Sequence, residues 1–326
     1  GVNDGSDSFG ETPPGVIGTG VMNVGLDVAD SVRLIRPSVS TGIAIDGGEP
    51  SGPVSPNGDA SGDTQNLDIS ALPNTEPVIV STLSPGTVVS AGISPLTWNQ
   101  IENLNLVDQG VLTNVQTGDL FGRGTDGVDL VQLTRNPTPG NPNGIRVRLN
   151  LTVDTYAATN KTIIYGGGDD DYITQANVTL PAEFYGEDGD DYLSGARNND
   201  WLSGGLGNDQ INGGAGDNVI DASLTSFDIT LVGLAGNDTL IGGSGDDTFL
   251  FDIDNVLGTD SVTGNGGIDT ISFAGSSAGA VVDLAITGLT QSVRVGFLVL
   301  NLAAEDIEGA AGGSGNDDLK GNSLDN

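Results

Sequence analysis

The sequence predicts an all-β chain of short stacked strands, and three observations carry that reading. A nine-residue period repeats along its second half, Gly is enriched, and no stretch has the apolar spacing of an amphipathic helix. Gly accounts for 52 of 326 residues, about twice the usual ~7%. Regular use of glycine at that density implies many tight turns between short strands rather than a conventional packed globule.

The repeats are read first. From Gly186 the chain runs GEDGDDYLS, GARNNDWLS, GGLGNDQIN and GGAGDNVID, four blocks of nine without a gap. Their sixth positions are Asp191, Asp200, Asp209 and Asn218, and their eighth positions are Leu193, Leu202, Ile211 and Ile220. A large apolar residue between polar neighbours, held at constant phase, is the signature of a half-buried strand of minimal length. Flexible linkers have no reason to keep that phase. The pattern returns as GLAGNDTLI and GGSGDDTFL from Gly233, with Asp238 and Asp247, as GNGGIDTIS with Asp269, and as GGSGNDDLK with Asp317. A weaker first copy, GGGDDDYIT, centres on Asp171, and GNSLDN begins a further copy that stops at Asn326, as expected of a piece of a longer protein.

These blocks resemble the GGxGxDxUx nonapeptide of the RTX (repeats-in-toxin, haemolysin-type) calcium-binding family, in which U is a large apolar residue. The resemblance covers about residues 161 to 273 and 305 to 326. It implies that six residues of each block form a turn and three a strand, with two blocks completing one coil of a right-handed parallel β-roll, a β-solenoid. Residues two blocks apart then stack, so that Asp191 meets Asp209 and Asp200 meets Asn218. Glycines admit the positive φ values and close backbone approach such turns need, which lets carbonyls converge. Carboxylate and carbonyl oxygens suit a hard cation of six to eight ligands, favouring multiple Ca²⁺ over the stricter octahedral Mg²⁺. The implied metal ligands are Asp171, Asp191, Asp200, Asp209, Asn218, Asp238, Asp247, Asp269 and Asp317. Departures from the pattern weaken individual sites: Asn218 is neutral, Asn198 and Asp169 replace the fourth-position glycine, and Ala196 and Leu234 replace the second.

Domain organisation follows from where the repeats lie. Residues 1–117 form a β-rich, loop-rich amino-terminal module, with ten of the fourteen prolines before residue 100 and strand-like segments over Ser31 to Ile45 and Glu76 to Ser90. Residues 118–160 are transitional β rungs, 161–273 the calcium roll, and 274–326 a metal-free rung followed by a further repeat. Asp221 to Val232, with Phe227, Ile229 and Leu231 alternating, and the stretch around Val281, Asp283 and Leu284 read as longer rungs without metal. An approximate duplication relates Asn3–Phe9 to Thr125–Val131 and makes Asp4, Asp7, Asp126 and Asp129 additional ligand candidates.

Composition excludes much chemistry. With 10 basic and 44 acidic residues the formal charge is -34, a field that repels nucleic acid and anionic lipid. Cys and His are absent, which removes disulfides, thiolate sites and imidazole bases. Lys161 and Lys320 are the only lysines, and HExxH does not occur. The chain therefore reads as a non-enzyme. No apolar run reaches the length of a membrane span, and no secretion signal lies within these residues. Four N-x-[ST] sequons, at Asn150, Asn160, Asn177 and Asn237, leave glycan attachment open.

The function expected is a calcium-stabilised extracellular structural module of a bacterial surface fibre or surface layer, folding outside the cell and self-associating through the open ends of its solenoid. The alternative is an adhesin, or a secretion or stabilising tail of a larger secreted protein, binding carbohydrate or protein, with Trp98, Trp201 and Tyr192 as first contacts.

Overall fold

A computed structural model gives the architecture. Through residue 116 it describes strands only, the first at Ser31–Arg33; thereafter it describes residues 118–139, 141–150, 152–303 and 306–324. Asp4, Asp7 and the Asn3–Phe9 segment lie outside the described residues. Two compact units divide the chain, one of residues 1–124, 137–144 and 156–163, the other of residues 125–136, 145–155 and 164–326. Among the described residues every regular element in both is a strand.

In the first unit, Ser31–Arg33, Thr64–Asp68 and Asn103–Asp108 pair in parallel, and Asn103–Asp108 folds back antiparallel onto Val111–Gln116. Val78–Ser81 lies antiparallel between Gly86–Ser90 and Leu120–Arg123. Val78, Val80, Leu120 and Phe121 are buried here, as β-branched and aromatic side chains on strands require.

The second unit is the roll. In one sheet Leu130–Arg135, Tyr172–Ala176, Tyr192–Ser194, Gln210–Asn212, Thr230–Val232, Thr248–Leu250, Thr270–Ser272 and Gly309–Ala311 run parallel in that order. In the other, Ala182–Asp188, Trp201–Leu206, Val219–Asp221, Thr239–Ile241, Gly258–Thr263 and Leu298–Leu302 do the same. Successive strands alternate between the sheets, so two nonapeptides make one coil, and Leu193 pairs with Ile211 while Leu202 pairs with Ile220. Their side chains, together with Leu231, Leu240, Phe249, Val262 and Ile271, fill the space between the sheets and are buried. One apolar residue per three-residue strand suffices because each is covered by its counterparts in the coils on either side. At one end the first sheet is covered by the antiparallel strand Gly144–Leu149, and at the other end the second sheet is closed by the antiparallel strand Thr290–Arg294.

The longer rungs differ from expectation in one respect. Only Thr230–Val232 of the first is a strand, and Phe227 is 49% exposed on the preceding turn, so the alternation read from Phe227 does not extend that far. In the second, Val281–Asp283 is a strand with Val282 and Leu284 buried. These turns, and the one after Tyr172–Ala176, carry polar stitches of their own: the Thr225 hydroxyl donates to the Gly207 carbonyl at 2.9 Å, that of Ser276 to the Phe251 carbonyl at 3.3 Å, and the Gln175 amide to the Leu180 carbonyl at 2.6 Å.

Candidate calcium ladders

Each nonapeptide turn ends at its sixth residue, just before the strand, so the carboxylate is carried to the edge of the core while its backbone enters the sheet. Asp171, Asp191, Asp200, Asp209, Asn218, Asp238, Asp247 and Asp269 are all at most 3% exposed; Asp317 is half-buried. They stack in columns. The Asp171 amide donates to Asp191 Oδ1 at 2.8 Å and the Asp191 amide to Asp209 Oδ1 at 3.0 Å. In the parallel column Asp200 donates to Asn218 Oδ1 at 2.9 Å, and Asn218 to Asp238 Oδ1 at 2.8 Å. Further along, the Asp247 amide reaches Asp269 Oδ1 at 2.8 Å. The longer rungs, and the non-repeat segment before Gly186, stay in the ladders without a carboxylate at that position: the amides of Ala182, Ile229 and Ala280 donate to Asp200, Asp247 and Asp317 Oδ1 at 2.7, 3.1 and 2.8 Å.

One oxygen of each carboxylate is thus spent on the backbone, and the fate of the other distinguishes the rungs. Oδ2 of Asp171, Asp191, Asp209, Asp238 and Asp269 is buried without a hydrogen-bond partner. An unpaired buried carboxylate oxygen is costly, and its negative charge more so. These atoms lie against the first-position glycines: a Cβ built on Gly186 would come within 2.1 Å of Asp191 Oδ2 and 2.4 Å of the Gly204 carbonyl oxygen. Only glycine leaves that space clear, and its lining is oxygen. At Asp200 and Asp247, Oδ2 instead accepts the amides of Ala196 and Gly243 at 2.9 and 2.7 Å. At Asn218 the corresponding atom is the amide Nδ2, 3.4 Å from the Gly214 carbonyl to which it donates, a donor where a cation needs an oxygen.

Burial raises these carboxyl groups far above the ordinary carboxylate range. Desolvation lifts Asp171 to about 8, Asp191 to about 7, Asp200, Asp209 and Asp238 to about 6, and Asp269 to about 7, with neighbouring carboxylates adding to the effect at Asp171, Asp191, Asp209, Asp238 and Asp269. Asp247 is raised by the same desolvation.

Two ladder members escape the nonapeptide reading or stand at its margin. Asp260 is fully buried, accepts the Asp238 amide on Oδ1 at 2.9 Å, leaves Oδ2 unpartnered and is pushed up to about 7 by desolvation. Its segment, GTDSV, keeps the fourth glycine, the sixth aspartate and the eighth apolar residue but has no leading glycine pair. Asp129 is also fully buried, and its amide donates to Asp171 Oδ1 at 2.7 Å. Its carboxylate is already satisfied, by the Asn150 amide on Oδ1 and by the Thr125 amide and hydroxyl on Oδ2, so protein donors surround it. Asp126 is exposed.

A second, outer ladder was not legible from the repeat. Fifth-position residues hydrogen-bond from coil to coil in the opposite sense: the Asn208 amide donates to Asp190 Oδ1 at 2.8 Å, Asn237 to Asp217 Oδ1 at 2.8 Å, and Asp246 to Asp228 Oδ1 at 2.9 Å. This explains the preference for Asp and Asn at that position.

The aromatic candidates are placed differently. Tyr192 stacks on Tyr172 with centroids 4.7 Å apart and planes 8° from parallel, which covers a ring face that a sugar would use. Trp201 is 41% exposed, and nothing is described of the Trp98 side chain. Three of the sequon asparagines are engaged by their side chains: Asn150 with Asp129, Asn160 with Asp119 and Asn237 with Asp217.

A parallel β-roll of glycine-rich turns with stacked, buried, half-satisfied carboxylates defines a class of calcium-binding solenoid. The family model of the RTX calcium-binding nonapeptide repeat matches residues 185–222 and 230–255 in four copies, and such repeats bind multiple Ca²⁺ ions. No curated protein matches the chain. The oxygen-lined spaces fit that ion: when bound, calcium supplies the positive charge that the Oδ2 atoms lack. Among the described residues no three His, Cys, Asp or Glu side chains converge as a metal cluster, as expected where each turn contributes one carboxylate and the remaining donors are main-chain carbonyls. No described helix is long and apolar enough to cross a membrane.

Proposed function

We propose that this chain is a calcium-stabilised extracellular structural module of a bacterial surface fibre or surface layer, which folds outside the cell when Ca²⁺ fills its ladders and then self-associates. The observation that carries the reading is the row of buried Oδ2 atoms at Asp171, Asp191, Asp209, Asp238, Asp260 and Asp269, none with a hydrogen-bond partner. Such a core is unfavourable without a cation and stable with one. Asp171, Asp191, Asp209, Asp238 and Asp269, joined by Asp200, Asp247 and Asp317, are the proposed ligands; Asn218 is a ladder residue that contributes hydrogen bonds. Calcium also offsets the formal charge of -34, relieving repulsion between stacked carboxylates. In the low calcium of a cytosol the stabilisation is absent, which suits export of an unfolded chain. The repeat itself is a structural module rather than a catalytic one.

The test is a titration of Ca²⁺ into the EGTA-treated chain, followed by far-UV circular dichroism and light scattering, with Mg²⁺ as control. A coil-to-β transition selective for Ca²⁺, then rising scatter, is expected. β-structure indifferent to Ca²⁺ would overturn the calcium reading, and a fold that forms without any scatter would favour a secretion tail over a fibre.

A further inference from the structure

The Asp269 ladder does not end at the last strand of the regular roll. Strand Gly309–Ala311 pairs in parallel with Thr270–Ser272, with Gly309 opposite Thr270, so Glu308 stands beside Asp269 in the place of a sixth-position residue. Its Oε2 accepts the Asp269 amide at 2.8 Å, as Asp269 Oδ1 accepts that of Asp247 at 2.8 Å. The main chain of Asp306 completes the likeness. A Cβ on Gly264 would lie 2.2 Å from both Asp269 Oδ2 and the Asp306 carbonyl oxygen, whereas a Cβ on Gly242 would lie 2.4 Å from Asp247 Oδ2 and 2.7 Å from the Gly264 carbonyl. The Asp306 carbonyl therefore occupies the position that a first-glycine carbonyl takes elsewhere.

Two oxygens here have no partner: Asp269 Oδ2, on a residue 0% exposed, and the buried Oδ1 of Asp306. The other Asp306 oxygen accepts the amides of Gly264 and Asn265 at 3.1 and 3.2 Å, which anchors the Asp306 side chain against the same turn. Glycine is absent from Asp306-Ile307-Glu308, and the extra methylene of glutamate lets its carboxylate reach the ladder from a less constricted turn.

We propose that Asp306 and Glu308, which lie outside the nonapeptide pattern, complete with Asp269 a terminal site for a hard divalent cation, Ca²⁺. The Asp269 carboxylate and the Asp306 carbonyl provide the convergent oxygens, and the Asp306 and Glu308 carboxylates add charge beside them. More negative charge per site raises calcium affinity, so this position fills before the nonapeptide sites. The inference rests on the calcium reading of the ladders.

The experiment compares the full chain with the variant Asp306→Asn/Glu308→Gln, which retains an oxygen to accept each ladder amide while removing both charges. Bound calcium is counted by elemental analysis after gel filtration at a series of free Ca²⁺ concentrations. The variant is expected to bind one calcium fewer per chain at the lowest concentrations, with unchanged circular dichroism at saturation. Identical counts at every concentration overturn the inference, while an unmodified chain that binds no calcium overturns the ladder reading instead. Should the double variant fail to fold, Asp306→Asn alone is counted in the same way and against the same outcomes.

Discussion

At the scale of the residue, a ladder aspartate is a compromise between backbone and ion. Its Oδ1 is committed to the neighbouring coil, and its Oδ2 is left in a space that only a cation or a proton can satisfy. The raised pKa values fix the direction of the pH response when calcium is removed. A carboxyl that titrates at about 6 to 8 when folded and near its ordinary 3.8 when unfolded binds more protons in the native state. Its contribution to stability is complete below about pH 4 and is lost as pH rises toward 8. In EGTA, β content by circular dichroism is therefore expected to be higher at pH 5 than at pH 8, and saturating Ca²⁺ to abolish the difference. A calcium-free chain more ordered at pH 8 would contradict the buried ladder. The repeat phase places Asp171, Asp191, Asp209, Asp238 and Asp269 in these columns directly, because a carboxylate at a constant offset from a buried apolar residue must stack when the apolar residues do. Asp260 is missed by that logic, since its rung has Asn255 and Val256 where the repeats begin with glycine, and only the backbone of neighbouring coils holds it in line. Glu308 is missed because it lies in no nonapeptide at all.

At the scale of the element, a coil is two turns and two strands so short that each depends on its neighbours. Leu202 is 0% exposed and lies between Phe184 and Ile220 in successive strands. Leu202→Ala is expected to destabilise the calcium-loaded fold by about 2–5 kcal/mol, measured by denaturant unfolding; a loss below about 1 kcal/mol would mean the rungs are not packed as described. The turns are equally restrictive. Gly207 has φ of 137°, and a Cβ there would lie 2.0 Å from the Gly189 carbonyl oxygen. Gly207→Ala is expected to lower the unfolding midpoint and raise the Ca²⁺ concentration needed for half-folding, while the same exchange at Gly275, whose Cβ meets nothing within 4 Å, costs only the strain of its positive φ. Equal effects at the two positions would remove the steric argument. At Glu187, Leu234, Asn265 and Asp169, non-glycine residues in the second or fourth position, the positive φ persists, so there the coil imposes the turn on residues that disfavour it.

At the scale of the whole molecule, calcium acts by mass action over many sites. A site of about millimolar affinity in about 10 mM Ca²⁺ contributes on the order of 1.4 kcal/mol, small singly and decisive when repeated along a chain that carries -34 charges. The sequence by itself determined the all-β class, the nine-residue phase, the buried apolar spine and the oxygen-only chemistry, because each follows from the spacing of residue types along a strand and a turn. Only the tertiary structure decided which carboxylate oxygens remain unsatisfied, that Asn218 turns its Nδ2 to the Gly214 carbonyl, that Asp129 is enclosed by Asn150 and Thr125, and that Asp306 and Glu308 continue the Asp269 ladder. The contacts between coils depend on which backbone lies one coil away, at separations of 18 to 42 residues, and a local repeat carries no record of the partner that such a distance brings into contact.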